Sequence, residues 1–339
     1  MSQCIYCNIH FSQRELCDEH VISASLGVRE VLRSSTCRDC NSGLGNSIEA
    51  YLANELECFR NLMQVKNRDG QVPSVSQIIE QWGKRVRVTV DGERKLRFEH
   101  PVDLGFDVDD DGNVWRTFRV PADDKEQLEE LERNFRKKHP NGHSEIVRHS
   151  HQDVIIGFEF DFKFVRNRAT RRCVSKYAYC FLAQFRGIDF ALKPEFDGVR
   201  QFILGQDSEA ESIAHIVYHQ HVFRRLNISI PNHAVLLCAD NQQGHFFAIV
   251  VIFGMFYYLV ELASNYEGPD WFELREFDPI RGKSYPLPVL PRTFFTHIPV
   301  KDIVRGESVN TEVWLGAVKH AVKKYNKFIN PGLVELIEY

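Results

Sequence analysis

Two Cys-x-x-Cys units, Cys4 with Cys7 and Cys37 with Cys40, stand at the start of the chain with residues 8–36 between them. No other feature constrains the fold as tightly. Each unit puts two thiolates on one tight turn, and four such sulfurs are the donor set of a tetrahedral structural zinc site. Zinc bound there ties together two turns that are distant in sequence. In so short a segment it replaces much of the missing hydrophobic core. The remaining cysteines (Cys17, Cys58, Cys173, Cys180 and Cys238) are scattered and read as small buried residues.

The rest of the chain is long enough for about two domains at 339 residues. With 43% hydrophobic and 26% charged residues it can bury a substantial core and is not globally disordered. The formal net charge of −4 excludes a globally basic field, so any nucleic-acid contact must come from a local basic patch. Residues 246–262 (FFAIVVIFGMFYYLVEL) are the most apolar stretch and approach the length of a membrane span. Gly254 divides them into two strand-length halves rich in β-branched and aromatic residues, which predicts a buried β-hairpin instead. The N-terminus carries cysteines and charges where a secretion signal needs an unbroken apolar run. A soluble, cytoplasmic protein without a membrane partner is therefore expected. Disulfides are rare in that compartment, which again favours metal for the paired cysteines.

The pattern predicts an α+β fold: a small N-terminal zinc-braced module followed by a larger α+β region. The expected boundaries are a module at 1–58, a connector at 59–82 with a short helical piece within 64–82, and an α+β region at 83–339, in one lobe or two. In the module, a short strand pair around ELCDEHVIS precedes a helix, CNSGLGNSIEAYLANELECF, whose Leu44, Ile48, Leu52 and Leu56 form one apolar stripe. Gly43 and Gly45 weaken that helix locally. Beyond it, strands are expected at 84–90, 95–99 and 113–120, with turns at Asp91–Gly92 and Asp111–Gly112. A helix with an acidic start and a basic end is expected over 123–138, a long alternating strand over 153–165 and a helix over 166–185. A strand at 232–240 and a closing helix at 311–329 complete the reading.

Between the two cysteine units lies Glu19–His20, and Asn41 follows the last cysteine directly at the start of a helix. Acid–His followed by Cys-x-x-Cys-Asn resembles the HNH endonucleases of the ββα-metal type, in particular their zinc-braced branch. The residues that carry the resemblance are Cys4, Cys7, Glu19, His20, Cys37, Cys40 and Asn41, with the flanking words EHVIS-ASLG and CNSGLGNSIE. It covers about 55 of the 339 residues and requires four ligands and three further residue types in order. Asn41 stands where the last residue of the name-giving triad is often His, and Glu19 where Asp is often seen. Ser23 and Val28 replace a frequent proline and glycine of the loop.

The resemblance implies a metal-dependent endonuclease acting on DNA. Hydrolysis of a phosphodiester needs an activated water, charge stabilisation at the phosphate and help for the leaving 3′ oxygen. A neutral His20 can act as general base. Glu19 and Asn41 offer hard oxygen ligands suited to Mg²⁺ or Mn²⁺. Adjacent strand residues point to opposite faces, so Glu19 and His20 serve one phosphate only if the strand end is twisted or the substrate lies between them. Asn41, Gly45 and Glu49 lie at i, i+4 and i+8 on one side of the helix. Glu49 there is either a partner for His20 or the ion, or a solvated residue.

Weaker signals have plainer readings. DVDDDGNV (107–114) has calcium-loop spacing, but Phe118 stands where the closing Glu belongs, so an acidic β-turn is expected. His215, His219 and His221 have no acid or cysteine to complete a site and read as a polar strand edge; 143–151 reads as a loop. Arg166, Arg168, Arg171, Arg172 and Lys176 gather at the start of one helix and are candidate phosphate contacts. Further basic groups end the 123–138 helix and decorate the 84–99 hairpin, where solvated faces are the plainer reading. A module this small has little surface for selectivity. The C-terminal region is therefore expected to select the substrate, to form a homodimer that supplies two sites, or to answer a small-molecule or protein activator. The resemblance implies a setting in bacterial restriction or anti-phage defence. The alternative is a zinc-braced nucleic-acid- or protein-binding module without catalysis. RNA cleavage or single-strand nicking also stays open, because backbone recognition carries no sequence information.

Overall fold

The computed structural model describes residues 2–79, 84–91, 93–98, 102–108, 114–119, 125–138, 165–206, 213–216, 226, 228–242 and 244–287. It is α+β, as expected. β1 (Ser2–Gln3) and β2 (His10–Phe11) pair around the first cysteine turn, which the Cys4 N–H closes on the Ile9 carbonyl at 3.0 Å. β3 (Leu16–His20) runs antiparallel to β4 (Val31–Cys37), and β4 leads directly into α1 (Arg38–Leu44). Cys37 caps that helix, its sulfur accepting the Cys40 N–H. The helical rod continues through one π turn, Gly45–Glu49, into α2 (Ala50–Glu55). Leu44, Ile48, Leu52 and Leu56 are all buried, as their spacing predicts. A strict four-residue repeat drifts around a 3.6-residue helix, and the wider π turn takes up part of that drift.

The next stretch contains α3 (Glu57–Leu62), β5 (Val75–Ile79), β6 (Lys84–Asp91), β7 (Glu93–Phe98), β8 (Val102–Val108), β9 (Val114–Arg119) and α4 (Lys125–Lys138). β5, β6 and β7 form an antiparallel three-stranded sheet, and β8 pairs with β9. β5 corrects the expected short helix within 64–82. Val75, Ile78 and Ile79 are β-branched, and pairing with β6, from Val75↔Val88 to Ile79↔Lys84, decides the conformation. β8 and β9 pair up to Val108↔Val114; the acidic turn expected between them falls on residues 109–113, which lie outside the described residues.

α5 (Arg168–Arg186), α6 (Ile188–Ala191) and α7 (Asp197–Leu204) follow, then β10 (Ala214–Ile216), β11 (His233–Asp240), β12 (His245–Ile252), β13 (Phe256–Ser264), β14 (Trp271–Asp278) and β15 (Lys283–Pro286). These strands form one antiparallel sheet in the order β10-β13-β12-β11-β14-β15. β12 and β13 are the expected hairpin. Gly254 turns it at φ +65°, and a Cβ there would lie 2.9 Å from the Ile228 carbonyl oxygen. β11, β12 and β13 are apolar on both faces, the mark of a sheet covered on both sides. On one face Leu236, Ile249 and Leu259 join a buried cluster. On the other, Phe277 meets Phe181 of α5, and the Arg275 guanidinium lies over Phe185. No helix among the described residues is long and apolar enough to cross a membrane.

Contacts divide the chain into two units, one of residues 1–56, 65–71 and 161–334, the other of 57–64, 72–160 and 335–339. In the first unit the N-terminal residues pack together with the C-terminal part. The reason is a set of buried anchors. The Tyr179 hydroxyl of α5 lies 3.1 Å from the Ile5 carbonyl oxygen and 2.7 Å from that of Ala191. Glu30 accepts from Gln184 Nε2 at 2.5 Å and pairs with Arg275 at 3.0 Å. His233 of β11 accepts the Phe253 N–H on Nδ1, so its Nε2–H donates to the Leu26 carbonyl at 3.1 Å. The strand expected over 153–165, apart from Val165, and the helix over 311–329 lie outside the described residues, as do 143–151, His219 and His221.

Candidate active site

The four cysteines converge. The sulfurs of Cys4, Cys7, Cys37 and Cys40 all lie within 4.8 Å of one another, with Cys7 and Cys37 3.9 Å apart. A tetrahedral ion at a Zn–S distance of ~2.3 Å requires sulfur–sulfur edges of about 3.8 Å, so the donor set fits zinc in both chemistry and size. The Cys4 thiol is held down to about 4: hydrogen bonding from Cys40 outweighs burial, aided by Cys37, Cys7 and Thr36. Among the described residues this is the only such group of His, Cys, Asp and Glu donors.

β3 carries the acid and the histidine, and a β-bulge re-aims them. Register shifts between Cys17 and Glu19, so that Glu19 opposes Leu32 and His20 opposes Val31. The extra residues lie on β4, where Arg33, Ser34 and Ser35 face Asp18 alone; Asp18 is exposed, and its carboxylate accepts the Ser34 N–H at 2.9 Å. Without a bulge, Leu16 and Asp18 would share the inner face; with it, Leu16 and Glu19 do, at 8% and 2% exposure. His20 is half-buried at the strand end. Asn41, half-buried on α1, donates from Nδ2 to the Asp18 carbonyl at 3.4 Å, which seats it against β3 two residues before His20. Burial lowers the His20 pKa, Lys176, Arg68 and Arg29 lower it further, and Glu49 opposes them. The imidazole is therefore mainly neutral at pH 7, the form a general base needs.

Glu19 does not present a free carboxylate. The Lys176 ammonium, from the middle of α5, lies 2.6 Å from Glu19 Oε1 and 2.8 Å from Glu49 Oε1, with Lys176 at 1% exposure. Burial opposes the charge on Lys176, but Glu49 and Glu19 outweigh it and hold the pKa above the ordinary lysine value. Burial raises Glu19 in turn, against the pull of the ammonium. Removing one member of such a buried set costs about 3–5 kcal/mol, because the others are left unpaired. The expected Mg²⁺ or Mn²⁺ site on Glu19 and Asn41 does not fit these side chains as they stand: a cation already sits on the acid. Glu49 is placed in this set by the π turn, a helix irregularity common at functional sites.

The basic cluster expected at phosphate contacts divides. Arg166 and Arg168 are exposed at the start of α5, and Arg171 is partly buried. Arg172 instead donates from Nε and Nη2 to the Ile203 carbonyl at 3.1 and 2.8 Å, closing the end of α7. Lys176, one turn further on, is buried on Glu19 and Glu49. For these two the expectation is corrected: Arg172 is engaged by the Ile203 carbonyl, and Lys176 lies where α5 is enclosed, from Cys173 to Ala183, so that its charge turns to internal partners. One signal in the sequence points to this role. Lys176 is the only charge within CVSKYAYCFLA, a setting in which an ammonium requires a buried carboxylate.

Residues 4–57 match the family model of the HNH endonuclease. The N-terminal region thus carries the HNH endonuclease sequence, as its resemblance implied. No curated protein and no solved structure matches the chain.

Proposed function

We propose that the protein is a phosphodiester hydrolase, an HNH endonuclease preferring DNA, with His20 as its general base. The observation that carries this reading is His20 itself. It stands at the end of β3 within the HNH-matching region, half-buried and held below the ordinary histidine pKa. In this role neutral Nδ1 or Nε2 takes a proton from water as the water oxygen attacks phosphorus and the bond to the leaving 3′ oxygen breaks. Asn41, on α1 against β3, can orient a phosphate oxygen through its amide. The zinc set of Cys4, Cys7, Cys37 and Cys40 is structural: it fixes β4 and α1, and with them the spacing of His20 and Asn41. Arg166 and Arg168, exposed at the start of α5, are the candidate contacts to DNA phosphates.

The C-terminal part is integral to the same compact unit, which favours control of the site over a loosely tethered specificity domain. Restriction or anti-phage defence is carried into the proposal from the resemblance; a cytoplasmic location, a homodimer and a small-molecule or protein activator are carried into it from the reading of the sequence. The test is incubation of the zinc-loaded protein with supercoiled plasmid and with RNA, in Mg²⁺ and in Mn²⁺. Nicked or linear plasmid with intact RNA is the expected result. No cleavage of either, with cell extract or phage DNA added, rejects the reading in favour of a binding module.

A further inference from the structure

Lys176 lies far outside the HNH-matching residues, 157 positions from Glu19 in sequence, yet its ammonium is the closest charge to that acid. Two carboxylates from separate elements of the module, Glu19 on β3 and Glu49 on the π turn, meet one ammonium from α5. Two carboxylates thus share one ammonium in a buried place. Glu19 Oε2 is buried and has no hydrogen-bond partner among the described residues. A carboxylate with one oxygen on lysine and the other unpartnered keeps an acceptor for a second cation, but only beside a positive charge that repels it.

We propose that Lys176 is a positioning residue that stands in the cation's place at Glu19 and competes there with a divalent ion. The proposal rests on the nuclease reading for its purpose, not for its test. It makes α5 the element that sets ion occupancy. The same helix holds Ile5 through Tyr179 and Glu30 through Gln184, so a shift of α5 moves lysine and module anchors together.

The test is a Mn²⁺ titration of the full-length zinc-loaded protein, followed by electron paramagnetic resonance. Lys176→Met, neutral and close in shape, should bind one Mn²⁺ at least ~10-fold more tightly than wild type, because a unit charge beside the ion is gone. Adding Glu19→Gln to that variant should abolish the gain. Equal or weaker binding by folded Lys176→Met, or a gain that survives Glu19→Gln, overturns the proposal. Two buried carboxylates without lysine can prevent folding. If Lys176→Met folds only with Mn²⁺ present, the ion has replaced the lysine and the proposal stands. If it folds under neither condition, Lys176→Gln, which keeps a donor to Glu19, decides in the same way. The titration reads occupancy and not cleavage. A protein that gains Mn²⁺ affinity but cuts nothing rejects the nuclease reading alone, and one that cuts without the gain rejects the lysine's role alone.

Discussion

His233 should make the fold acid-sensitive by an amount that its surroundings define. The ring is fully buried on β11, between the Phe253 N–H and the Leu26 carbonyl, and burial pushes its pKa down to about 4 from an ordinary 6.5. The native state holds it neutral, whereas the unfolded chain protonates it as pH falls through 6.5. Stability from this group is therefore complete above pH 6.5 and lost progressively between 6.5 and 4. At pH 4.5 the loss relative to pH 7 is about 2 kcal/mol. Urea unfolding at pH 7 and pH 4.5 measures it, with His233→Gln as the reference. The amide keeps a donor for Leu26 but does not titrate. Protonation of the zinc thiolates and of other groups affects both proteins and cancels in the difference. Wild type should lose about 2 kcal/mol more than the variant across that range. Parallel losses would refute the argument, and with it the claim that a neutral His233 pins the HNH region to the sheet.

Other perturbations follow from the same geometry. Gly27 sits at φ +88°, and a Cβ there would lie 2.5 Å from the Pro279 carbonyl oxygen, so Gly27→Ala should lower stability by about 2 kcal/mol or more in urea unfolding. Cys37→Ala removes both a sulfur ligand and the cap of α1. It should abolish zinc in metal analysis and lower the thermal midpoint by ~10 °C. If His20 is the base, the acid limb of kcat/KM for plasmid cleavage should fall below pH 6.5, since burial lowers its pKa from that value. A limb above 6.5 assigns the proton transfer to another group.

The legible part of this molecule was the part fixed by local spacing. Cys4, Cys7, Cys37 and Cys40 must close on one ion, and their sulfurs do converge; the 246–262 hairpin follows from Gly254 between two β-branched halves. What the sequence hid depends on residues far apart in the chain. Val75–Ile79 has β-branched residues that suit a strand, but pairing with β6 decides the conformation. The irregularity opposite Asp18 puts two extra residues on β4, and Glu19 instead of Asp18 comes to face inward with Leu16; no local pattern marks it. Lys176 was legible as a charge in an apolar helix. Its partners, Glu19 and Glu49, are set by the docking of α5 on the module, so spacing along α5 pointed it toward phosphate instead.

The central claim is that His20 performs proton transfer in an HNH site, and His20→Ala tests it most directly. The variant should retain one zinc per chain and the wild-type thermal midpoint, because a half-buried strand-end residue contributes little to the core. Its cleavage of supercoiled plasmid in Mg²⁺ or Mn²⁺ should fall by ~10²-fold or more. A zinc-loaded, folded His20→Ala protein that cuts plasmid at the wild-type rate would contradict the account.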